Sequence, residues 1–144
     1  MEDKALGLIG LMRRASAIEI GEDNSAAAVK AGKAKLLLLS CDVSETAKRK
    51  AEGFCHGRSV QLVDLHYTRE EIGASIGVKS CAMAALTDMG FSNALMKELA
   101  RQMPEVYSAV YEETEKRLEK TQRRRKETAQ RGGLKRNVKR RTEV

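Results

Sequence analysis

Leu36, Leu37, Leu38 and Leu39 follow one another with no polar break, and Ser40-Cys41-Asp42 comes directly after them. A strand with one wet face alternates apolar and polar residues, so a continuous run needs cover on both faces. The middle strand of a sheet flanked by helices meets that need. Val60 to Val63 and Cys81 to Leu86 are further apolar runs of strand length. The segments between them carry helical signals. Ala5, Leu8, Ile9 and Met12 fall at i, i+3, i+4 and i+7 and predict a first helix with Arg13 and Arg14 in its last turn. After Ile18-Glu19-Ile20, Gly21 permits a turn, and Asp23, Asn24 or Ser25 is placed to cap an Ala-rich helix ending near Gly32. Asp42 and Glu45 have the capping-box spacing, Thr68 to Glu71 opens another helix, and Thr87-Asp88 caps a last one with Phe91, Ala94, Leu95 and Leu99 on its apolar side. Alternating elements with short connections predict an α/β chain: a three-layer α/β/α sandwich with a mixed central sheet.

The chain's second feature is a division of charge. Residues 115–144 hold thirteen Lys or Arg against four Glu, a net of +9, while residues 1–114 hold fourteen basic and sixteen acidic residues, a net of −2. A domain of residues 1–103 followed by a basic C-terminal extension, 104–144, is therefore expected. Beyond Pro104 the apolar positions Val106, Val110 and Leu118 are too sparse for a second core. Glu112 with Lys116, Glu113 with Arg117 and Glu119 with Arg123 support a solvated helix that Gly132-Gly133 should end, so the extension is read as helical or disordered. Arg123, Arg124, Arg125 and Lys126, and again Lys139, Arg140 and Arg141, form runs that repel themselves and condense on polyanions. Nucleic acid is the partner such runs suit, against the plainer reading of a solvated, solubilising tail.

Catalysis finds little support. Cys41, Cys55 and Cys81 form no C-x-x-C pair, so neither a disulfide framework nor a zinc site is signalled, and a reducing cytoplasm fits. Cys55 and His56 are adjacent and would point apart, Cys41 and Cys81 read as small packed residues, and His66 is isolated. There is no glycine-rich phosphate loop, signal peptide or membrane-length apolar stretch. No cofactor, metal, membrane or small-molecule substrate is expected.

Gly21 to Lys35 running into Leu36-Leu37-Leu38-Leu39, then Cys41 to Lys48, Ile72 to Gly77 and Leu86 to Phe91, occur in an order that resembles the kink-turn RNA-binding ribosomal protein superfamily. The resemblance is to its large-subunit L-seven-Ae class, in the bacterial YlxQ-like branch, and covers residues 5–101. It implies the same sandwich and a non-catalytic, ribosome-associated protein whose partner is structured RNA. It also implies that RNA meets the N-terminus of the second helix and the loop containing Ile76-Gly77. Uncapped helix amides suit phosphate oxygens, and a polar side chain beside them can read a base edge.

These arguments nominate Arg13, Arg14, Gly21, Asp23, Asn24, Ser25, Lys33, Ile76 and Gly77 on the domain, with the basic runs on the extension. Ile76 is open to two readings, a core plug or a prop for a flipped-out base. Asp23 and Asn24 are also ordinary capping residues. The chain departs from the family pattern at three positions where Asn, Glu and a later Lys are usual and Asp23, Asn24 and Ala27 stand instead. Ser16-Ala17 likewise replaces a Gly-Lys pair common in the branch. Those departures motivate the alternative of an adaptor that has kept the fold and lost base recognition. On the RNA reading, the tail would compensate for charge the domain lacks.

Overall fold

The computed structural model describes residues 3–142, with side chains described through residue 129. Its elements are α1 (Lys4–Arg14), β1 (Ile18–Ile20), α2 (Glu22–Lys30), β2 (Leu36–Leu39), α3 (Glu45–Cys55), β3 (Gln61–Asp64), α4 (Arg69–Ile76), β4 (Met83–Leu86), α5 (Met89–Gln102) and α6 (Pro104–Thr142). The sheet order is β1-β4-β2-β3, with β2 and β3 parallel and β4 antiparallel to both β1 and β2. The leucine strand is thus an inner strand of a mixed sheet. Leu36 and Leu38 face a core built with Ile9 and Met12 of α1, Ile72 of α4 and Leu95 and Leu99 of α5. Leu37 and Leu39 face the opposite core, with Val29 of α2 and Ala51 of α3. All four are essentially inaccessible to solvent. Three layers result.

Two of the expected caps hold. Thr68 and Glu71 form a reciprocal capping box at α4, and the Asp88 carboxylate accepts from the Phe91 amide at 2.8 Å to start α5. Two others are corrected. Ser44, not Asp42, caps α3 by accepting from the Ala47 amide, because Asp42 is drawn to Arg69, accepting from its backbone N at 2.9 Å and its Nε at 3.3 Å. Gly21, not Asp23, Asn24 or Ser25, is the cap residue of α2 and offers no side chain to it. Cys41 is exposed rather than packed, since it follows the end of β2, whereas Cys81 is buried with its Sγ donating to the Met83 carbonyl at 3.3 Å.

The start of the extension folds back on the domain. Tyr107 does this, with Val110 and Tyr111 packed against the same core, whereas Val106 is 53% exposed. Tyr107 enters the main core, and its hydroxyl donates to the Asp64 carbonyl at 2.7 Å. His66 is not isolated, for its ring lies 4.1 Å from that of Tyr67 and its Nδ1 is 3.4 Å from the Tyr107 hydroxyl. Further along, the fully buried Thr114 places its Oγ1 between the Tyr111 carbonyl, at 2.8 Å, and the Asn93 Oδ1, at 3.1 Å, and the Asn93 amide donates to Glu115 at 3.2 Å. Arg117 then donates to the Lys35 carbonyl at 3.1 Å.

Gly132-Gly133 does not stop α6, which is helical to Thr142. Each glycine costs only about 1 kcal/mol relative to alanine, and Lys, Arg, Glu and Gln around the pair favour the helix. The side chains of Lys139, Arg140 and Arg141 lie outside the described residues. Among the described residues no helix is long and apolar enough to cross a membrane.

Candidate nucleic-acid interface

β1 is an edge strand, and an open cleft of about 490 Å³ runs along it, lined by Arg13, Ser16, Glu19, Ile20, Asn24 and Val78. Three chain segments meet here because β1 turns at once into α2. Gly21 makes that turn with φ 93° and ψ 166°, a region essentially reserved for glycine, and its amide bonds the Met83 carbonyl at the start of β4. The Ser25 amide is the first to bond back into the helix, at the Gly21 carbonyl. With no side-chain cap, the amides of Glu22, Asp23 and Asn24 are left for solvent or a ligand.

Asn24 is exposed but held. Its Nδ2 donates to the Ile20 carbonyl at 2.9 Å, which turns the amide oxygen outward as a fixed acceptor. Arg13 reaches the same cleft from α1 while its Nη1 donates to the Ile76 carbonyl at 2.9 Å, satisfying a terminal carbonyl of α4. Gly77 ends α4 in the left-handed conformation, φ 77°, and Val78 follows into the cleft. On the other side of Asn24, a smaller depression of about 260 Å³ is lined by Glu19, Asn24, Ala27, Ala31, Lys33 and Thr87. Asn24 joins the two. Ala27 leaves the depression without the cation that its position has in the resembling family.

Three nominated residues are not part of this surface as expected. The Ile76 side chain is 5% exposed and plugs the main core, because as the last residue of α4 it lies on the face turned to the sheet. Its neighbour Val78 takes the loop position proposed for it. Ser25 is fully buried, its hydroxyl without a hydrogen-bond partner, since the fourth residue of α2 faces inward. Arg14 lies in a separate groove of about 650 Å³ between α1 and α4, beside Asp3, Tyr67 and Glu71. One residue along a helix rotates a side chain by about 100°, which separates Arg14 from Arg13.

The electrostatics are mixed. Glu22 is 3.0 Å from Lys50 of α3 in a half-exposed pair, whereas Asp23 and Glu19 are exposed near the free amides. Sequence reasoning did not single out Glu19, Ile20 or Val78. An edge strand's identity depends on sheet order, which no local pattern carries.

The chain matches the model of the Ribosomal protein L7Ae/L30e/S12e/Gadd45 family over residues 3–96. It belongs to that family. Over 92 residues it is 34% identical to "RNA-binding protein YlxQ" of Bacillus subtilis (strain 168), covering 64% of this chain and 91% of the relative. A solved structure described as a protein with unknown function from Bacillus halodurans C is 30% identical with a TM-score of 0.63, covering 67% of this chain and 97% of that one. A Giardia lamblia 15.5kD RNA binding protein has a TM-score of 0.55 at 16% identity, covering 70% of this chain and 89% of its own, and bears on the fold alone. The family match stops before α6, so the docked helix is an addition to the shared fold.

The catalytic cysteine reading gains nothing from the geometry. Burial raises the Cys55 thiol above its ordinary value, which disfavours the thiolate, and the neighbouring His56 is the exposed cap residue of α3.

Proposed function

We propose that the protein binds structured RNA of the kink-turn, ribosome-associated kind with the surface around the β1 edge, without catalysis. Arg13, Gly21, Asp23, Asn24 and Lys33, with Gly77 and Val78, are its contact residues. The observation that carries this reading is the pinned Asn24 amide. It holds an acceptor oxygen beside three free helix amides and the Arg13 guanidinium, facing the Gly77-Val78 loop. The free amides take a phosphate at the kink, the Asn24 oxygen accepts from a donor on an exposed base edge, and Val78 packs against a base turned out of the stack. The family match and the name of the Bacillus subtilis relative support RNA as the ligand class. Residues 1–103 are proposed as the RNA-reading unit, and the basic residues of 104–144 as the source of sequence-independent phosphate contacts.

The test is titration of a kink-turn RNA against wild type and Asn24→Ala, with a straight duplex of equal length as control. Asn24→Ala should weaken kink-turn binding about tenfold, the loss of roughly 1–2 kcal/mol for one hydrogen bond, and leave duplex binding unchanged. Equal affinity of wild type and variant for the kink-turn would refute the assignment.

The adaptor reading is favoured by one observation, the carboxylates of Glu19 and Asp23 beside the free amides together with Ala27 in the depression. It predicts that wild type ignores kink-turn RNA and that the double substitution Asp23→Asn, Ala27→Lys creates binding.

A further inference from the structure

α6 lies antiparallel to α5, and its polar contacts fix its direction across the molecule. Tyr107 bonds the Asp64 carbonyl at the last residue of β3, and Arg117 bonds the Lys35 carbonyl just before β2. Gly21 lies at the end of the sheet where β3 finishes, because Ile20 pairs with Ala84, and Leu39 with both Met83 and Asp64. The basic helix therefore leaves the domain from the end opposite Gly21. This changes the expected role of the tail, which does not sit over the free amides of α2.

Where α6 passes the first residue of β3 it closes a cleft of about 550 Å³. Five cations line it: Lys35, Arg58, Arg117, Lys120 and Arg124, against the single carboxylate of Glu113. None of the five forms a salt bridge among the described residues. Two are anchored by carbonyls, Arg117 on Lys35 and Arg58 on Val29 at 3.1 Å, so each guanidinium is held in place with further N–H groups free. Arg117, Lys120 and Arg124 recur at i, i+3 and i+7 on one side of the helix and span about 10 Å, room for about three successive phosphates of one strand. The residues lining the cleft include no aromatic ring, and Arg117 and Arg58 are held by carbonyls, so the lining is built mainly for charge. Lys33 and Lys35, two residues apart, line one depression each, so the cleft and the α2 surface come near each other before β2.

We infer that the cleft between β3 and α6 is a second nucleic-acid site that grips the phosphate backbone of an RNA duplex, independent of sequence. The inference rests on the RNA-binding reading above but concerns a different surface and a helix outside the family match. Arg124 is the member of the 123–126 run that lines the cleft, whereas Arg123, Arg125 and Lys126 are exposed on other sides of the helix.

The experiment measures salt dependence of affinity for a blunt RNA duplex lacking a kink-turn. It compares wild type, the triple variant Arg58→Gln, Lys120→Gln, Arg124→Gln, and a charge-matched triple on other surfaces, Lys4→Gln, Lys48→Gln, Arg49→Gln. Arg117 is retained because it docks α6. The slope of log affinity against log salt should fall by about three in the cleft triple and by less than one in the control. Equal slopes for wild type and cleft triple, while wild type binds kink-turn RNA, would overturn this inference and leave the α2 assignment standing. Equal losses in the two triples would overturn it in favour of net charge. Competition of the duplex by inorganic tripolyphosphate at equal phosphate concentration would overturn it in favour of a small-anion site. Wild type that binds neither RNA would overturn both proposals.

Discussion

Gly10 and Gly7 lie one turn apart on α1 and should respond to alanine with opposite signs. A Cβ on Gly7 would meet nothing within 4 Å, whereas one on Gly10 would sit 2.7 Å from the Ser75 carbonyl oxygen of α4. Ordinary contact begins at 3.4 Å, so α1 and α4 would have to part by about 0.7 Å. That obstacle is backbone on both sides and cannot be relieved by a rotamer. Alanine in a helix interior gains about 0.5–1 kcal/mol over glycine, and overpacking of this kind costs about 1–3 kcal/mol. Gly7→Ala should therefore stabilise by about 0.5–1 kcal/mol, and Gly10→Ala should destabilise by about 0.5–2 kcal/mol. Urea unfolding followed by far-UV circular dichroism gives both values, with the slope unchanged if the two-state description holds. The functional consequence is that parting these helices moves Arg13 from the Ile76 carbonyl, and with it one wall of the β1 cleft. Equal stabilisation by the two substitutions would refute the close crossing of α1 and α4.

Ser16 has φ 56°, a conformation that a Cβ makes costly, so Ser16→Gly should raise stability by about 1 kcal/mol, read as a higher melting temperature. Thr114→Val removes a buried hydroxyl shared between the Tyr111 carbonyl and the Asn93 Oδ1 and should cost about 1–3 kcal/mol, with protease cleavage in α6 as a second readout of undocking. Glu98 is buried and its pKa is held below the ordinary 4.5, first by hydrogen bonds from Arg101, against a smaller opposing effect of burial. The folded state thus resists a proton that the unfolded state accepts. The contribution is present above about pH 4.5 and is lost as pH falls through the folded pKa, so Glu98→Gln should flatten the acid limb of a urea-midpoint against pH curve.

The leucine run disclosed the central strand because apolar continuity is a local signal with one structural solution. Likewise the Thr68 box and the Asp88 cap are complete within four residues. Asp42 misled because its competitor, Arg69, lies 27 residues away. The Ile76 ambiguity was one of rotation, since a loop residue and the last residue of a helix differ by a single peptide. Arg13 and Asn24 were visible as types, but their meeting with Val78 depends on β1 being the edge beside β4. Tyr107 and Thr114 escaped a hydropathy reading of α6: Tyr107 docks through its hydroxyl on the Asp64 carbonyl as well as through its ring, and Thr114 is buried beside Asn93.

The addition of α6 gives the molecule two separated polar surfaces. The β1 edge offers fixed hydrogen-bond groups with little positive charge, and the β3 cleft offers five cations and no aromatic ring. On the proposed reading, shape recognition and electrostatic grip would lie at opposite edges of one sheet, and a single RNA engaging both would have to pass around the end of β2 that carries Lys33 and Lys35.

The most direct measurement is a residue-resolved NMR titration of the ¹⁵N-labelled protein with a kink-turn RNA. Saturable shifts at the backbone amides of Glu22, Asp23, Asn24, Gly77 and Val78, together with the Asn24 side-chain amide, are the predicted result. Shifts confined to α6 and the Lys35–Arg58 cleft, with the α2 amides unmoved, would contradict the claim that this chain reads RNA with the β1 edge.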